Sequence, residues 1–134
     1  MRITALAENT SVSDNFGAEH GLSLYIETDK HNILFDMGQT ALFSENAEKL
    51  GIDLSMVDIA VLSHGHYDHG GGLKKFLSIN DKAPVYINRY AFEPHYNGKE
   101  KYIDVNVFNG RPQEFSAYLE NKAYKTTANE GENP

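Results

Sequence analysis

The sequence predicts an α/β (α+β) fold in which helices cover one face of a sheet. Apolar and polar residues alternate at 2–6 and 22–26, which indicates half-buried strands. A wholly apolar run follows at 33–35, and the strand at 58–62 has no polar face; such strands are usually buried on both sides. Segments with helical spacing separate the later strands, so helices and strands alternate along the chain.

A polar loop is expected between the first strand and the second. Residues 9–21 are rich in Asn, Ser, Asp and Gly and poor in aliphatic side chains, which is typical of a loop. Leu22, Leu24 and Ile26 then recur with a period of two. A polar turn at 28–31 connects this strand to the next apolar run, so the two strands are expected to form a hairpin.

Two helices are predicted from apolar spacing and end signals. Thr40 is the expected cap of the first, and Gly51 is placed to end it. Its apolar stripe comprises Phe43, Ala47 and Leu50. The second helix follows a run of three glycines and carries Leu73, Phe76 and Leu77 on one side. A further strand at 84–87 comes after it.

Composition excludes several classes of protein. The chain of 134 residues fits one domain. Its 12 Lys+Arg and 19 Asp+Glu give a net charge of −7, which repels phosphate backbones, so no nucleic-acid partner is expected. Without cysteine there is no disulfide scaffold, thiol nucleophile or cysteine-rich zinc site. No apolar run approaches the ~20 residues that span a bilayer, and residues 1–8 do not resemble a signal peptide. We therefore expect a cytoplasmic protein without membrane contact.

The composition changes near residue 97. Residues 1–96 are expected to form the folded unit, and 97–125 a divergent segment with few aliphatic side chains. The end of the chain, 126–134, has only one apolar residue and is expected to be disordered. The divergent segment carries three aromatic residues, Phe108, Phe115 and Tyr118. We expect them to pack either over exposed sheet or among themselves.

The segment 63–72 carries the chemistry. Three of the six histidines, His64, His66 and His69, lie within six residues of each other together with Asp68. They follow an apolar strand directly, and α/β sheets place their sites at the carboxyl ends of strands. Imidazole and carboxylate groups bind zinc, iron or manganese where no thiolate is present. Four such residues in six positions favour a metal site over an ordinary polar loop.

The spacing suggests how this segment is arranged. In an extended chain His64 and His66 point the same way, so both can bind one ion. A turn after Tyr67 then presents Asp68 and His69 to a second ion. Glycine can bend the backbone around this centre, and the glycines available for that are Gly65 and Gly70–Gly72.

The pattern His64-x-His66-x-Asp68-His69 after an apolar strand resembles the signature of the metallo-β-lactamase superfamily. The upstream strand that ends in Asp36 resembles a second landmark of that family. The residues at 19–23, 35–39 and 46–53 are similar to the branch of dihydropterin-methyl-aminobenzene-ribofuranosyl-phosphate synthase-like proteins. The resemblance implies one half of the family's αββα sandwich, a mixed sheet with helices on one face.

Site roles follow from the resemblance, position by position. His64 and His66 are expected to bind a first divalent ion, and Asp68 and His69 a second, with zinc favoured over iron or manganese. In the family, metal-activated water attacks an ester, amide or phosphoester. Asp68 matches the position of the family's catalytic aspartate and is expected to orient that water or move its proton. One or two ions and a small-molecule substrate are therefore expected.

Two further candidates, Asp36 and His20, keep two interpretations each. Asp36 either orients a ligand histidine through a hydrogen bond to the ring or caps a turn. His20 either lines the substrate pocket, as in the branch, or is an exposed loop histidine. His31 and His95 are expected to be ordinary surface histidines.

The later landmarks of the family are not visible in this sequence. Each ion would have two protein ligands where three are usual, which weakens binding. The sheet face that the family covers with a second sheet would be left open, so we expect a homodimer that stacks through this face. Two functions are favoured: a metal-dependent hydrolase, or a truncated, non-catalytic half-fold that binds metal weakly or serves as a partner-dependent subunit. A redox protein, since some members of the family use iron, ranks last.

Overall fold

A computed structural model describes residues 1–87 and the strand Tyr124–Lys125. Its six strands form one sheet in chain order. They are β1 (Arg2–Ala7), β2 (Ser23–Glu27), β3 (Asn32–Phe35), β4 (Ile59–Leu62), β5 (Val85–Ile87) and β6 (Tyr124–Lys125). Strands β1 to β3 pair antiparallel, and β3 to β6 pair parallel. The mixed sheet, the α/β class and the β2–β3 hairpin are confirmed.

The parallel strands are connected by helices. Helix α1 (Leu42–Lys49) and a short 3₁₀ helix (Leu54–Met56) lie between β3 and β4. Helices α2 (Tyr67–Gly70) and α3 (Leu73–Ile79) lie between β4 and β5. The four-residue α2 is not predicted from the sequence, which indicates only a turn there.

The predicted end signals of the first helix are partly right. Gly51 follows the helix with a φ of 72°, the left-handed conformation that suits glycine after a helix end. The predicted cap is off by one residue, because Ala41 occupies the cap position. The Thr40 hydroxyl still accepts a hydrogen bond from the Leu42 amide at 3.1 Å, so it satisfies one of the free donors of the first turn.

The hydrophobic core lies between the helices and one face of the sheet. Its fully buried members come from both layers: Leu6, Leu34, Leu62, Val85 and Ile87 from the strands, and Phe43, Leu73 and Phe76 from the helices. Strand β2 contributes Tyr25 to this side, whereas Leu24 and Ile26 lie on the other side and are only partly buried. The core position in β2 is therefore held by a tyrosine between two aliphatic neighbours.

The opposite face of the sheet is apolar and incompletely covered. Two rows of paired residues cross it: Ile3, Ile26, Ile33 and Ile59 form one, and Ala5, Leu24, Phe35, Val61 and Tyr86 the other. All are half-buried or exposed, with Ile3 at 55% exposure. In β4, Ile59 and Val61 on this face are only partly buried, which agrees with the expectation that the helices leave one face of the sheet open.

Several expectations fall on residues that the structure does not describe. The boundary at 96, the divergent segment apart from its strand β6, the disordered end and His95 all lie outside the described residues. Within residues 1–87, no helix has the length and apolar character needed to cross a membrane. The cytoplasmic location stays a prediction.

Asn46 connects α1 to the first strand and to the loop after it. Its side chain is 4% exposed. The amide nitrogen donates to the carbonyl oxygens of Leu6 at 2.8 Å and Gly17 at 3.1 Å, and the amide oxygen accepts from the Gly17 N–H at 3.2 Å. One buried side chain therefore satisfies three backbone groups, the buried carbonyl of Leu6 and two partly buried groups of Gly17.

Replacing this side chain tests its contribution to stability. We expect Asn46→Ala to lower the free energy of unfolding by about 1–3 kcal/mol, because it leaves buried backbone groups without partners. Urea unfolding followed by circular dichroism measures the change. Glu45→Ala, at an exposed position of the same helix, is the control and is expected to change stability by about 0.5 kcal/mol or less. Equal effects of the two substitutions would contradict the assignment.

Candidate metal centre

The histidine segment lies where two parallel strands end side by side. Asp36 follows β3, and Ser63 follows the neighbouring β4. The Asp36 N–H donates to the Val61 carbonyl at 2.9 Å, which extends the β3–β4 pairing by one residue. The Met37 N–H donates to the His69 carbonyl at 2.8 Å, which ties α2 to the same loop. The topology of the sheet therefore brings distant parts of the sequence to one edge.

The three predicted ligand histidines are in mutual proximity. The His64 ring centroid is 4.6 Å from that of His66 and 4.3 Å from that of His69. Ligand atoms of His64, His66 and Asp68 all lie within 4.8 Å of one another, and a second set of this size comprises Asp36, His64 and His69. The structure thus brings together every predicted ligand, while their division between a first and a second ion stays a prediction.

Asp36 is fully buried and holds two elements of the site. Its carboxylate accepts from the Ser63 N–H at 2.7 Å and from the Ser63 hydroxyl at 2.6 Å. It also lies 2.8 Å from Nδ1 of His69. An ionised carboxylate only accepts, so the proton is on Nδ1 of His69 and Nε2 is left with its lone pair. These contacts favour the positioning interpretation of Asp36 over a simple turn carboxylate.

Ser63 is a site residue that sequence reasoning missed. Its hydroxyl donates to Asp36 and also lies 2.7 Å from Nδ1 of His64. Because that hydroxyl has only one proton, the His64 ring donates to it through Nδ1 and keeps Nε2 free to accept. One buried carboxylate therefore orients two imidazoles, His69 directly and His64 through Ser63. The signal in the sequence was the serine directly before the first histidine.

The backbone around Asp36 is unusual. Asp36 has a φ of 58°, and it is the one non-glycine residue in the left-handed region among those the structure describes. Such a conformation costs free energy and persists where surrounding contacts fix it. Here the strand pairing and the buried hydrogen bonds of the carboxylate do so.

Two glycines of the metal loop are also needed for close packing. The chain bends at Gly65 and turns at Gly71 and Gly72, as expected, although none of the loop glycines has a positive φ. A β-carbon at Gly71 would overlap the Gln39 carbonyl oxygen, and one at Gly72 would overlap that of Met37. Glycine is needed because the loop after β3 lies directly against the start of α3.

Electrostatics favour neutral imidazole at the centre of the cluster. Burial lowers the pKa of His64 below its ordinary value, and the adjacent His69 and His66 lower it further, while Asp36 and Asp68 oppose this in part. A metal ion binds the neutral ring, so a lowered pKa keeps His64 in its ligand form at neutral pH.

Asp68 has an oxygen suited to a cation. Its Oδ2 lies 3.0 Å from Nε2 of His20 and 3.8 Å from Nε2 of His69. Its Oδ1 is buried and has no hydrogen-bond partner within the described part of the chain. A buried carboxylate oxygen without a partner is costly. His64, His66 and Asp68 offer ligand atoms within 4.8 Å of one another, and with the neighbouring His69 this donor set fits a divalent metal ion.

His20 contacts the candidate metal centre, whereas His31 does not. His20, for which both interpretations were open, is 64% exposed in its side chain and contacts Asp68. His31 is exposed and pairs with Asp58 at 3.1 Å, away from the cluster, so its surface prediction is confirmed. An apolar cavity of about 270 Å³ beside β1 is lined by none of the candidate ligands and is separate from this centre.

Comparison with known proteins identifies the family. The model of the metallo-beta-lactamase superfamily matches residues 16–122. The chain belongs to the metallo-β-lactamase superfamily. The match extends beyond residue 96, where the sequence predicts a boundary, and that boundary stays a prediction.

Two relatives come from Methanocaldococcus jannaschii. An uncharacterized protein is 37% identical over 124 residues, which cover 90% of this chain and 44% of that protein. A 7,8-dihydropterin-6-methyl-4-(β-D-ribofuranosyl)-aminobenzene-5′-phosphate synthase is 31% identical over 119 residues, 81% of this chain and 40% of the enzyme. The predicted similarity to this branch is confirmed. The chain thus spans less than half the length of these relatives.

A solved structure shares the fold over almost the whole chain. It is a metal-dependent hydrolase of the beta-lactamase superfamily, with a TM-score of 0.67 and 28% sequence identity. The similarity covers 93% of this chain and 40% of that hydrolase. The family and the fold predicted from the histidine motif are both confirmed.

Substituting Asp36 tests whether it orients the candidate ligand histidines. Asparagine tolerates a positive φ and keeps an oxygen for Ser63, but its amide nitrogen cannot accept from Nδ1 of His69. We therefore expect Asp36→Asn to weaken zinc binding by about 10–100-fold, measured by competition with a chromophoric chelator. Asp58→Asn, which alters the remote His31 pair, is the control. Unchanged affinity in a folded Asp36→Asn variant would contradict the assignment.

Proposed function

We propose that the chain is a metal-dependent hydrolase that acts on an ester, amide or phosphoester of a small molecule. One observation carries this proposal: the structure brings three imidazoles together with the carboxylate of Asp68, whose buried Oδ1 has no partner among the described residues. Membership in a superfamily that includes metal-dependent hydrolases supports it. Zinc is the ion that we propose first, because imidazole and carboxylate ligands without thiolate suit it.

The residues of the chain have distinct roles in this proposal. His64, His66, Asp68 and His69 would hold the ion or ions. When bound, a divalent metal supplies Lewis acidity that lowers the pKa of water and stabilises negative charge on the substrate. Asp36 and Ser63 keep the lone pairs of two rings directed toward the site. Asp68 also has a carboxylate oxygen close enough to the centre to orient water or accept its proton.

The relatives indicate the class of substrate. A relative in Methanocaldococcus jannaschii is a synthase of an aminobenzene ribofuranosyl phosphate, and another, from Bacillus velezensis, is called a metal-dependent hydrolase. From these names we take only that relatives include an enzyme of a small phosphorylated molecule and a metal-dependent hydrolase; the ester, amide or phosphoester bond is part of our proposal.

The second candidate is a non-catalytic half-fold that binds metal weakly or serves as a partner-dependent subunit. One observation favours keeping it. The described residues provide four predicted ligands, which is two for each of two ions. Fewer chelating groups mean weaker binding.

Turnover separates the two candidates. We expect the purified chain with saturating zinc, manganese or ferrous ion to hydrolyse at least one substrate among nitrophenyl esters, nitroanilides, bis(p-nitrophenyl) phosphate and p-nitrophenyl phosphate. The rate should fall by at least about 100-fold in His66→Ala, because a ligand is removed, and should be unchanged in His31→Ala. Metal binding without any metal-dependent turnover would favour the half-fold.

For the open sheet face we propose a second copy of this chain as the partner. The two apolar rows cross β1 to β5 without a charged residue, and the second row ends where Tyr86 pairs with Lys125 of β6. Two such sheets can pack face to face, and a two-fold interface requires only that one surface be complementary to itself. Stacking would remove this surface from water, which is favourable.

The mass of the particle in solution tests this proposal. We expect light scattering to give the mass of a dimer for the wild type and of a monomer for Ile33→Lys, because a buried charge without a partner opposes the interface. Met56→Lys, at a position with 62% exposure, is the control and should stay dimeric. A monomeric wild type across the accessible concentrations would refute the proposal.

A further inference from the structure

The loop before β2 reaches the metal centre through His20. Its Nε2 lies 3.0 Å from Oδ2 of Asp68. We propose that His20 is a positioning residue, which holds one oxygen of Asp68 so that the other faces the ion. This inference rests on the proposed metal site and adds a residue that the family's signature does not contain.

The hydrogen bonds around His20 determine which of its nitrogens donates. The Asn9 amide oxygen accepts from the Gly21 N–H at 3.1 Å, so the amide nitrogen of Asn9 is directed at His20, 3.4 Å from Nδ1. Because this nitrogen donates, Nδ1 of the ring accepts and Nε2 carries the proton. His20 therefore donates to Asp68 and has no nitrogen left to bind a metal ion.

Backbone contacts also hold the loop before β2 against Asp68. The Leu22 N–H donates to the carbonyl oxygen of Asp68 at 3.3 Å. Gly21 has a φ of 144°, and a β-carbon there would overlap that carbonyl oxygen. The loop is therefore held against α2 at its backbone, and His20 extends from this point to the carboxylate.

The two oxygens of Asp68 differ as a result. Oδ2 accepts from Nε2 of His20 at 3.0 Å and lies 3.8 Å from Nε2 of His69, too far for a hydrogen bond. Oδ1 is buried and has no partner within the described residues. Without His20 the carboxylate can rotate about its terminal torsion, which is broad and roughly two-fold. The exposed histidine thus fixes the orientation of the carboxylate in which Oδ1 is left without a partner among the described residues.

The experiment compares metal binding in wild type, His20→Ala, His20→Gln and His31→Ala. His31 is the matched control because it makes a similar contact, 3.1 Å from Asp58, on another surface. Zinc affinity is measured by chelator competition, and the visible spectrum of the cobalt-loaded chain reports the ligand geometry. We expect His20→Ala to weaken affinity by about 10–100-fold and to change the spectrum. Glutamine can donate from its amide nitrogen, so His20→Gln should recover at least part of both.

Each outcome has a distinct meaning. Affinity and spectrum in His20→Ala equal to those of wild type and His31→Ala would overturn the inference while leaving the metal site intact. A rise in KM alone, with unchanged metal binding, would overturn it in favour of contact with substrate. A wild-type chain that binds no metal would overturn the proposed function, and this inference with it.

Discussion

The buried carboxylate of Asp36 is the interaction on which the rest of the site depends. It accepts from the Ser63 amide and hydroxyl, contacts Nδ1 of His69, and through Ser63 also determines the orientation of His64. A charge that is 0% exposed is tolerated only when its hydrogen bonds are satisfied. The same contacts that stabilise Asp36 therefore direct two imidazoles toward one point.

The fold makes this interaction available. Parallel pairing of β3 and β4 places Asp36 beside Ser63, although 27 positions separate them in sequence. The loop after β3 then packs against Gly71 and Gly72, which brings α2 with its two candidate ligands to the same edge. The loop before β2 closes the opposite side through His20. Three chain segments thus converge at the carboxyl ends of two strands, where sheets of this class place their sites.

Local patterns were enough to predict the elements and the motif but not their contacts. Apolar periodicity predicted the hairpin, and Gly51 marked a helix end, because these signals act over a few residues. Periodicity does not say which side of a strand the helices cover, so the buried position of Tyr25 was not predicted. Ser63 was missed because its role depends on Asp36, and Asn9 because its partner His20 lies 11 positions away. Such pairings arise from tertiary structure.

X-ray absorption at the zinc edge of the loaded wild-type chain tests the central claim most directly. The account predicts a first shell that contains imidazole nitrogens together with carboxylate oxygen, with the outer-shell scattering that imidazole rings produce. Removal of the ion by a chelator should leave the chain folded, because the hydrogen bonds of Asp36 do not require a metal. A shell of oxygen ligands alone, without imidazole scattering, would contradict the assignment of the three histidines to one metal centre.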